Sequence, residues 1–287
     1  MNGSVSAILT EAGIAASMQV QQINGGDINE AYKLYNHNRQ YFLKVNDAYA
    51  YPGMLHKEAL GLQTLRENSL FIIPEVLKNG VTGNKQFLLM EWVERSNPCE
   101  NYWEIMGEQL AFLHQQTSAN AGFFHNNYIG NLEQLNHETT EWSTFYAEFR
   151  LQPLIKKLLQ MKVFSAKEQQ FANRLYQRLP QLFPNEPHAL LHGDLWGGNH
   201  FPNEKGLPVL IDPAVYYGHR EMDIGMTALF GGFHPAFYTA YNYHYPLESG
   251  WQQRLQLTQL YPLLVHAVLF GGHYVYQSAE ILRNSGS

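Results

Sequence analysis

The sequence predicts an α+β chain in two parts, a small antiparallel sheet carrying one main helix and then a larger, mostly helical part. Two observations predict it. In the first third, residues alternate as strands do, broken by Asn- and Gly-rich turns, and from about Asn101 the apolar spacing turns helical. At the change lies the polar, proline-bearing stretch Glu94-Arg95-Ser96-Asn97-Pro98, which sets the expected domains at residues 1–94 and 95–287.

Each element has its own signal. Gln19 to Ile23 is a mixed run that Gly25-Gly26-Asp27 breaks. Ala31–Tyr35 and Tyr41–Val45 alternate around Asn36-His37-Asn38, the pattern of a hairpin. Pro52 to Glu67 places Leu55, Ala59, Leu62 and Leu65 at three- and four-residue spacing, hence a helix. Pro74–Lys78 and Gln86–Val93, with Asn79-Gly80 and Gly83-Asn84 between them, predict a second strand pair. Tyr102 to Gln115 is helical, with Ile105, Met106, Leu110 and Leu113 on one face. Ser165-Ala166-Lys167-Glu168 fits a capping box, opening a helix toward Leu182 that Pro184 and Pro187 end. Ala189–Leu191 and Val209–Ile211 are short apolar strands, and Trp251 to Leu282 is mostly helical.

Composition narrows the function classes. Hydrophobic residues make up 45% of the 287 and charged residues 15%, an ordinary globular balance. The net charge of −6, with no basic cluster, argues against a nucleic-acid partner. Cys99 is the one cysteine, so neither a disulfide framework nor a CxxC metal knuckle can form within the chain. The thirteen histidines are scattered, with no HExxH. The apolar run from Tyr261 to Gly272 is too short for a membrane span and contains His266. No basic stretch followed by an apolar core opens the chain, so the expected location is the cytoplasm.

The chemistry concentrates in His192-Gly193-Asp194-Leu195-Trp196-Gly197-Gly198-Asn199 and Leu210-Ile211-Asp212-Pro213. An Asp, an Asn five positions on and a second Asp after an apolar run suit phosphoryl transfer from a nucleotide. That chemistry needs a carboxylate for the acceptor hydroxyl and oxygen ligands for Mg²⁺. The protein-kinase catalytic loop has the same Asp-to-Asn spacing, which makes the expected architecture a bilobal, protein-kinase-like one. Asp194 is the candidate base, and Asn199 and Asp212 are the candidate Mg²⁺ ligands. Lys44, on the face of its strand opposite Tyr41, Leu43 and Val45, needs an anion; ATP phosphates and Glu58 of the next helix would supply it. The Gly25-Gly26 loop offers backbone amides to phosphates. Leu88–Val93 ends the small part where a kinase-like fold places its hinge, with Met90, Glu91 and Val93 beside adenine. Trp196 is a candidate contact for the acceptor. Trp142, Phe145 and Tyr146, at helical spacing, read as core.

These residues carry a resemblance. Phe42-Leu43-Lys44-Val45-Asn46, Leu110–His114, Trp142–Tyr146 with Arg150-Leu151-Gln152, HGDLWxGN at His192–Asn199, and Asp212-Pro213-Ala214 with Tyr217-Gly218-His219-Arg220-Glu221 are together similar to the fructosamine-kinase (ketosamine 3-kinase) family. That family lies within the aminoglycoside-phosphotransferase-like kinases. The resemblance implies ATP-dependent phosphorylation of the 3-hydroxyl of a ketosamine such as a fructosamine or ribulosamine, small or protein-bound, and hence deglycation of amines. It carries the base onto Asp194, the metal ligands onto Asn199 and Asp212, and the phosphate lysine onto Lys44 with Glu58. It makes His219 a candidate acceptor contact and Asp223 a structural acid beside the catalytic loop. Two departures stand out: Asp27 follows the glycines where several members have cysteine, and Tyr128–Gln134 lacks the Pro-Gln of the family. The competing readings are a kinase for another alcohol, aminoglycoside- or choline-like, and a nucleotide-binding pseudokinase scaffold.

Overall fold

The computed structural model describes residues 3–14, 17–23 and 28–286. The chain forms two compact units, Met1–Tyr102 with Asn199–Pro213, and Trp103–Gly198 with Ala214–Ser287.

The first unit opens with helix α1 (Gly3–Glu11), followed by strands β1 (Gln19–Ile23), β2 (Glu30–Tyr35) and β3 (Gln40–Asp47), helix α2 (Met54–Asn68), and strands β4 (Val76–Thr82) and β5 (Lys85–Glu91). The strands form one antiparallel sheet in the order β1-β2-β3-β5-β4. Strand alternation sorts its two faces. Leu43 and Val45 of β3, with Phe87 and Leu89 of β5, are buried in one cluster with Val5, Ile8 and Leu9 of α1. Lys44, paired with Leu88, therefore takes the other face, the one with Glu58 of α2. α2 buries Leu55, Ala59, Leu62 and Leu65, the residues whose spacing predicts it. One expectation is corrected. Asn79-Gly80 does not turn the chain; β4 runs through it to Thr82, and the turn is Gly83-Asn84, with Gly83 at φ 61°. Gly80 lies in the strand against the Phe87 ring, where an added Cβ would come to 3.0 Å. β5 ends at Glu91, two residues short of Val93.

The second unit takes most of helix α3 (Tyr102–His114), strands β6 (Thr117–Ser118), β7 (Asn127–Ile129) and β8 (Leu132–Gln134), and a helical stretch made of α4 (Trp142–Phe145), a π-helical segment (Tyr146–Leu151) and α5 (Gln152–Gln160). Helix α6 (Ala166–Leu182) follows. Its capping box forms as the sequence predicts: the Ser165 hydroxyl accepts from the Lys167 amide at 3.2 Å, and Glu168 accepts from the Ser165 amide at 2.8 Å. Strand β9 (His188–Leu191) is buried throughout and leads into His192.

Strands β10 (His200–Pro202) and β11 (Pro208–Leu210) return to the first unit. The Leu210 amide donates to the Ile72 carbonyl at 3.1 Å, and the Cys99 amide to the Gly206 carbonyl at 3.1 Å. The second unit then resumes with β12 (Tyr216–Gly218), α7 (Glu221–Leu229), α8 (Pro235–His244), α9 (Trp251–Phe270) and α10 (His273–Ser285). β12, β9 and β6 make a small antiparallel sheet in that order. The C-terminal stretch is mostly helical as expected, in two helices divided where Gly271 and Gly272 sit at φ 65° and 59°.

Candidate active site

The residues singled out by the sequence fall into two groups, one in each unit. In the first unit, β3 carries Lys44 inward, only 6% exposed. An ammonium buried to that extent needs counter-charge. Its Nζ donates to Glu58 Oε1 at 2.7 Å and, closer still, to Asp212 Oδ1. Burial works against the charged ammonium, but Asp212 and Glu58 outweigh it and hold the Lys44 pKa above its usual value. Burial pushes the Glu58 carboxyl up, against the pull of Lys44.

Asp212 stands directly after β11 at φ 54°, a left-handed conformation that a residue with a Cβ rarely takes. Such strain collects at functional positions. Its side chain remains 42% exposed although it pairs with Lys44. Asn199 lies at the other end of the β10–β11 hairpin. The Ile211 amide donates to the Asn199 carbonyl at 3.0 Å, and Asn199 Nδ2 reaches the Asp212 carbonyl at 3.5 Å. The hairpin thus delivers a carboxamide and a carboxylate from one segment. Hard oxygen donors of this kind suit Mg²⁺, which takes few ligands from protein. Among the described residues no group of three or more His, Cys, Asp or Glu could hold a metal ion, so the donor set disfavours a zinc-type site.

In the second unit, the turn after β9 carries His192, Gly193 and Asp194. Gly193 sits at φ 82°, and a Cβ there would come within 2.1 Å of the Ala214 carbonyl oxygen. Only glycine fits. The His192 and Gly193 amides both donate to the Asp223 carboxylate, at 2.8 and 2.9 Å, and the Asp194 amide donates to His192 Nδ1 at 3.3 Å. Asp223, on the first turn of α7, is 1% exposed. The loop holding Asp194 is therefore fixed through its backbone amides.

The remaining expectations fall as follows. Met90 is buried in β5 at 3% exposure, and the Glu91 amide donates to the Glu75 carbonyl at 3.0 Å. Gly25 and Gly26 lie outside the described residues. Trp196 is 40% exposed, with its ring edge-on to Phe230 at 6.2 Å. His219 is 2% exposed, packed against Phe183 and Trp142 with centroids 4.9 and 6.1 Å away, and burial pushes its pKa down to about 4. The ring is enclosed at the end of β12. Trp142, Phe145 and Tyr146 are buried as core.

Sequence reasoning missed a buried arginine. Arg150 is 0% exposed on the π-helical segment, under the rings of Tyr216, Phe145 and Tyr261 at 4.0, 4.5 and 5.4 Å. It donates to the Leu135 carbonyl at 2.5 Å and to Asn136 Oδ1 at 2.7 Å. The aromatic spacing around it is visible in the sequence, but their convergence on one guanidinium is not.

Comparison with known proteins identifies relatives of the whole chain. A model of the fructosamine kinase family matches residues 1–285. A chain from Enterococcus faecium that carries a ketoamine-kinase name is 39% identical over 269 residues, covering 93% of this chain and 95% of that one. The chloroplastic protein-ribulosamine 3-kinase of Arabidopsis thaliana is 36% identical over 282 residues, covering 96% and 85%. Among crystal structures, one from Thermobifida fusca named for fructosamine-3-kinase superposes with a TM-score of 0.86 at 33% identity, covering 98% of both chains. The aminoglycoside phosphotransferase APH(4)-Ia, solved with AMP-PNP and hygromycin B, superposes at 0.66 and 17% identity over 99% of both chains, a likeness of fold alone. The fold is protein-kinase-like, and the chain belongs to the fructosamine kinase family.

Proposed function

We propose that this protein transfers the terminal phosphoryl group of ATP to the 3-hydroxyl of a ketosamine, a fructosamine or ribulosamine, free or on a protein amine. Membership of the fructosamine kinase family supports an ATP-dependent kinase acting on a hydroxyl, and the names of its relatives support a ketosamine acceptor. The observation that carries the reading is the buried Lys44 ammonium held between Glu58 and Asp212. A lysine so fixed is a point charge aimed at phosphate, with α2 keeping it from swinging away.

The roles follow from the chemistry of each group. Lys44 neutralises phosphate oxygens while Glu58 holds it. Asn199 and Asp212 would hold Mg²⁺, which when bound offsets the charge on the β- and γ-phosphates. The carbonyl of Glu91 and the amide of Val93 would meet adenine beside Met90, and the Gly25-Gly26 amides would cover phosphate. Asp194 orients the sugar hydroxyl and takes its proton as that oxygen bonds the γ-phosphorus and the bond to the ADP oxygen breaks. Trp196 offers a half-exposed ring to the acceptor. His219 acts behind the site.

A phosphate on the third carbon makes the adduct labile, so the biological role would be removal of sugars from glycated amines. The location would be the cytoplasm, with neither nucleic acid nor membrane as partner; no described helix is long and apolar enough to cross a membrane. The test is product identification. Mg-ATP with a fructosamine and a ribulosamine, beside an aminoglycoside and choline, is expected to yield a sugar 3-phosphate only from the ketosamines. Phosphorylation of the aminoglycoside or choline alone rejects the acceptor assignment.

A further inference from the structure

Behind the Asp194 loop runs a line of buried polar groups that the phosphoryl transfer itself does not use. His114, at the end of α3, and Tyr241, on α8, are both 0% exposed; Asp223 is 1% and Arg220 3%. Tyr241 Oη lies 2.8 Å from His114 Nδ1, and His114 Nε2 lies 3.2 Å from Asp223 Oδ2. Asp223 receives the His192 and Gly193 amides. At the far end burial raises the Tyr241 pKa and the nearby Arg220 cation works against that rise. Arg220 is itself fixed by the Glu186 carboxylate at 2.6 and 2.8 Å and by the Tyr245 and Pro246 carbonyls at 2.8 and 2.7 Å.

The chemistry of these groups fixes the direction of every bond. A carboxylate only accepts, so His114 Nε2 carries a proton for Asp223. His114 Nδ1 is then bare and receives the Tyr241 hydroxyl. Burial pushes the His114 pKa down, which keeps the ring neutral and this tautomer in place. An imidazolium would instead aim a second N–H at the Tyr241 oxygen.

We propose that Tyr241 and His114 are positioning residues, and that a one-way chain of hydrogen bonds from Tyr241 through His114 to Asp223 sets the backbone of the Asp194 loop. The role given to Asp194 rests on the proposed phosphoryl transfer, whereas the chain of bonds does not. Each member has its donors and acceptors matched only in this order, and the end of the chain is the pair of amides immediately before Asp194. Correct placement of a base governs turnover more than nucleotide binding, because only the transition state draws on it.

The first test needs no substrate. Nitrogen NMR of histidine-labelled protein at neutral pH, with the His114 signal identified by its loss in His114→Gln, is expected to show a protonated Nε2 and a bare Nδ1. A protonated Nδ1 overturns the chain. The second test is kinetic. Tyr241→Phe removes one O–H and is expected to lower kcat about three- to tenfold, the worth of one hydrogen bond, with KM for ATP unchanged. His114→Leu is expected to lower kcat further, and His114→Gln, which can still donate to Asp223, to recover most of that loss. Unchanged kcat in Tyr241→Phe, or a KM for ATP that rises in step with the loss of kcat, reduces these residues to core packing. Absence of turnover by the wild type on every ketosamine would reject the acceptor assignment and leave the NMR result standing.

Discussion

Lys44 is held by charge, Asp194 by backbone. Around Lys44 two carboxylates meet one ammonium inside the first unit, and one of them, Asp212, keeps 42% of its side chain exposed. Around Asp194, in the second unit, the grip is two amides on the buried Asp223, with a neutral histidine and a tyrosine behind it. The difference matches what each residue must do. A phosphate-binding lysine needs a fixed charge, and a partner carboxylate provides it. A base must stand at a fixed place beside the hydroxyl, and the two amides just before it fix the loop on Asp223.

The comparison predicts unequal sensitivities. The largest loss is expected from Asp194→Asn, about 10²–10⁴-fold in kcat, the usual worth of a positioned base, with ATP still raising the melting temperature. Wild-type turnover in this variant would remove Asp194 from the mechanism. Lys44→Met is expected to cost about 10²–10³-fold and, unlike Asp194→Asn, to weaken ATP binding as well as turnover. It also leaves Glu58 buried without its cation; a titration of thermal shift against ATP separates the two effects.

Acid should reach the second unit through its histidines. Burial holds the His219 pKa at about 4, below the usual value of about 6.5. Between those values the unfolded chain binds a proton that the folded chain refuses. Stability is therefore fully present above pH ~6.5 and lost as pH falls toward ~4, by about 3 kcal/mol from this group. His114 is shifted in the same direction. Urea midpoints across that window check this, and a flat profile would contradict the buried, neutral state of both rings. The smallest effect is expected from Asp223→Asn, about 2 kcal/mol of stability, since an amide group would face N–H groups that now donate to a carboxylate. Hydrogen exchange at His192 and Gly193 should accelerate with it.

The same contrast explains what the sequence made legible. Lys44 stands out because a single cation interrupts an apolar alternation, and Glu58 lies on the next helix. The strand pairs, α2, α3 and the Ser165 capping box follow from local spacing and appear as expected. Helix α1 was missed, although Val5, Ile8 and Leu9 fall at helical spacing and now cover the sheet face opposite Lys44. The strand ends at Thr82 and not at Lys78, because a tolerated strand glycine under Phe87 carries the same signal as a turn glycine. Of the Tyr241–His114–Asp223 line only Asp223 is expected, through the family resemblance, and the aromatic enclosure of Arg150 is not legible in the spacing. Their members lie far apart in sequence, on α3, α7, α8 and the π-helical segment, and no periodicity links residues that meet only in the folded unit. Hydrogen bonds made by backbone amides, like those of His192 and Gly193, leave no side-chain signature.

The most direct test is acceptor-dependent ADP release by the wild type and Asp194→Asn side by side, with Mg-ATP and a ribulosamine. The expected result is release by the wild type that requires the ribulosamine, and release reduced at least about 10²-fold in the variant while ATP still stabilises both proteins. Equal rates in the two, or ADP release by the wild type that ignores the acceptor, would contradict the assignment of Asp194 as the base of a ketosamine kinase.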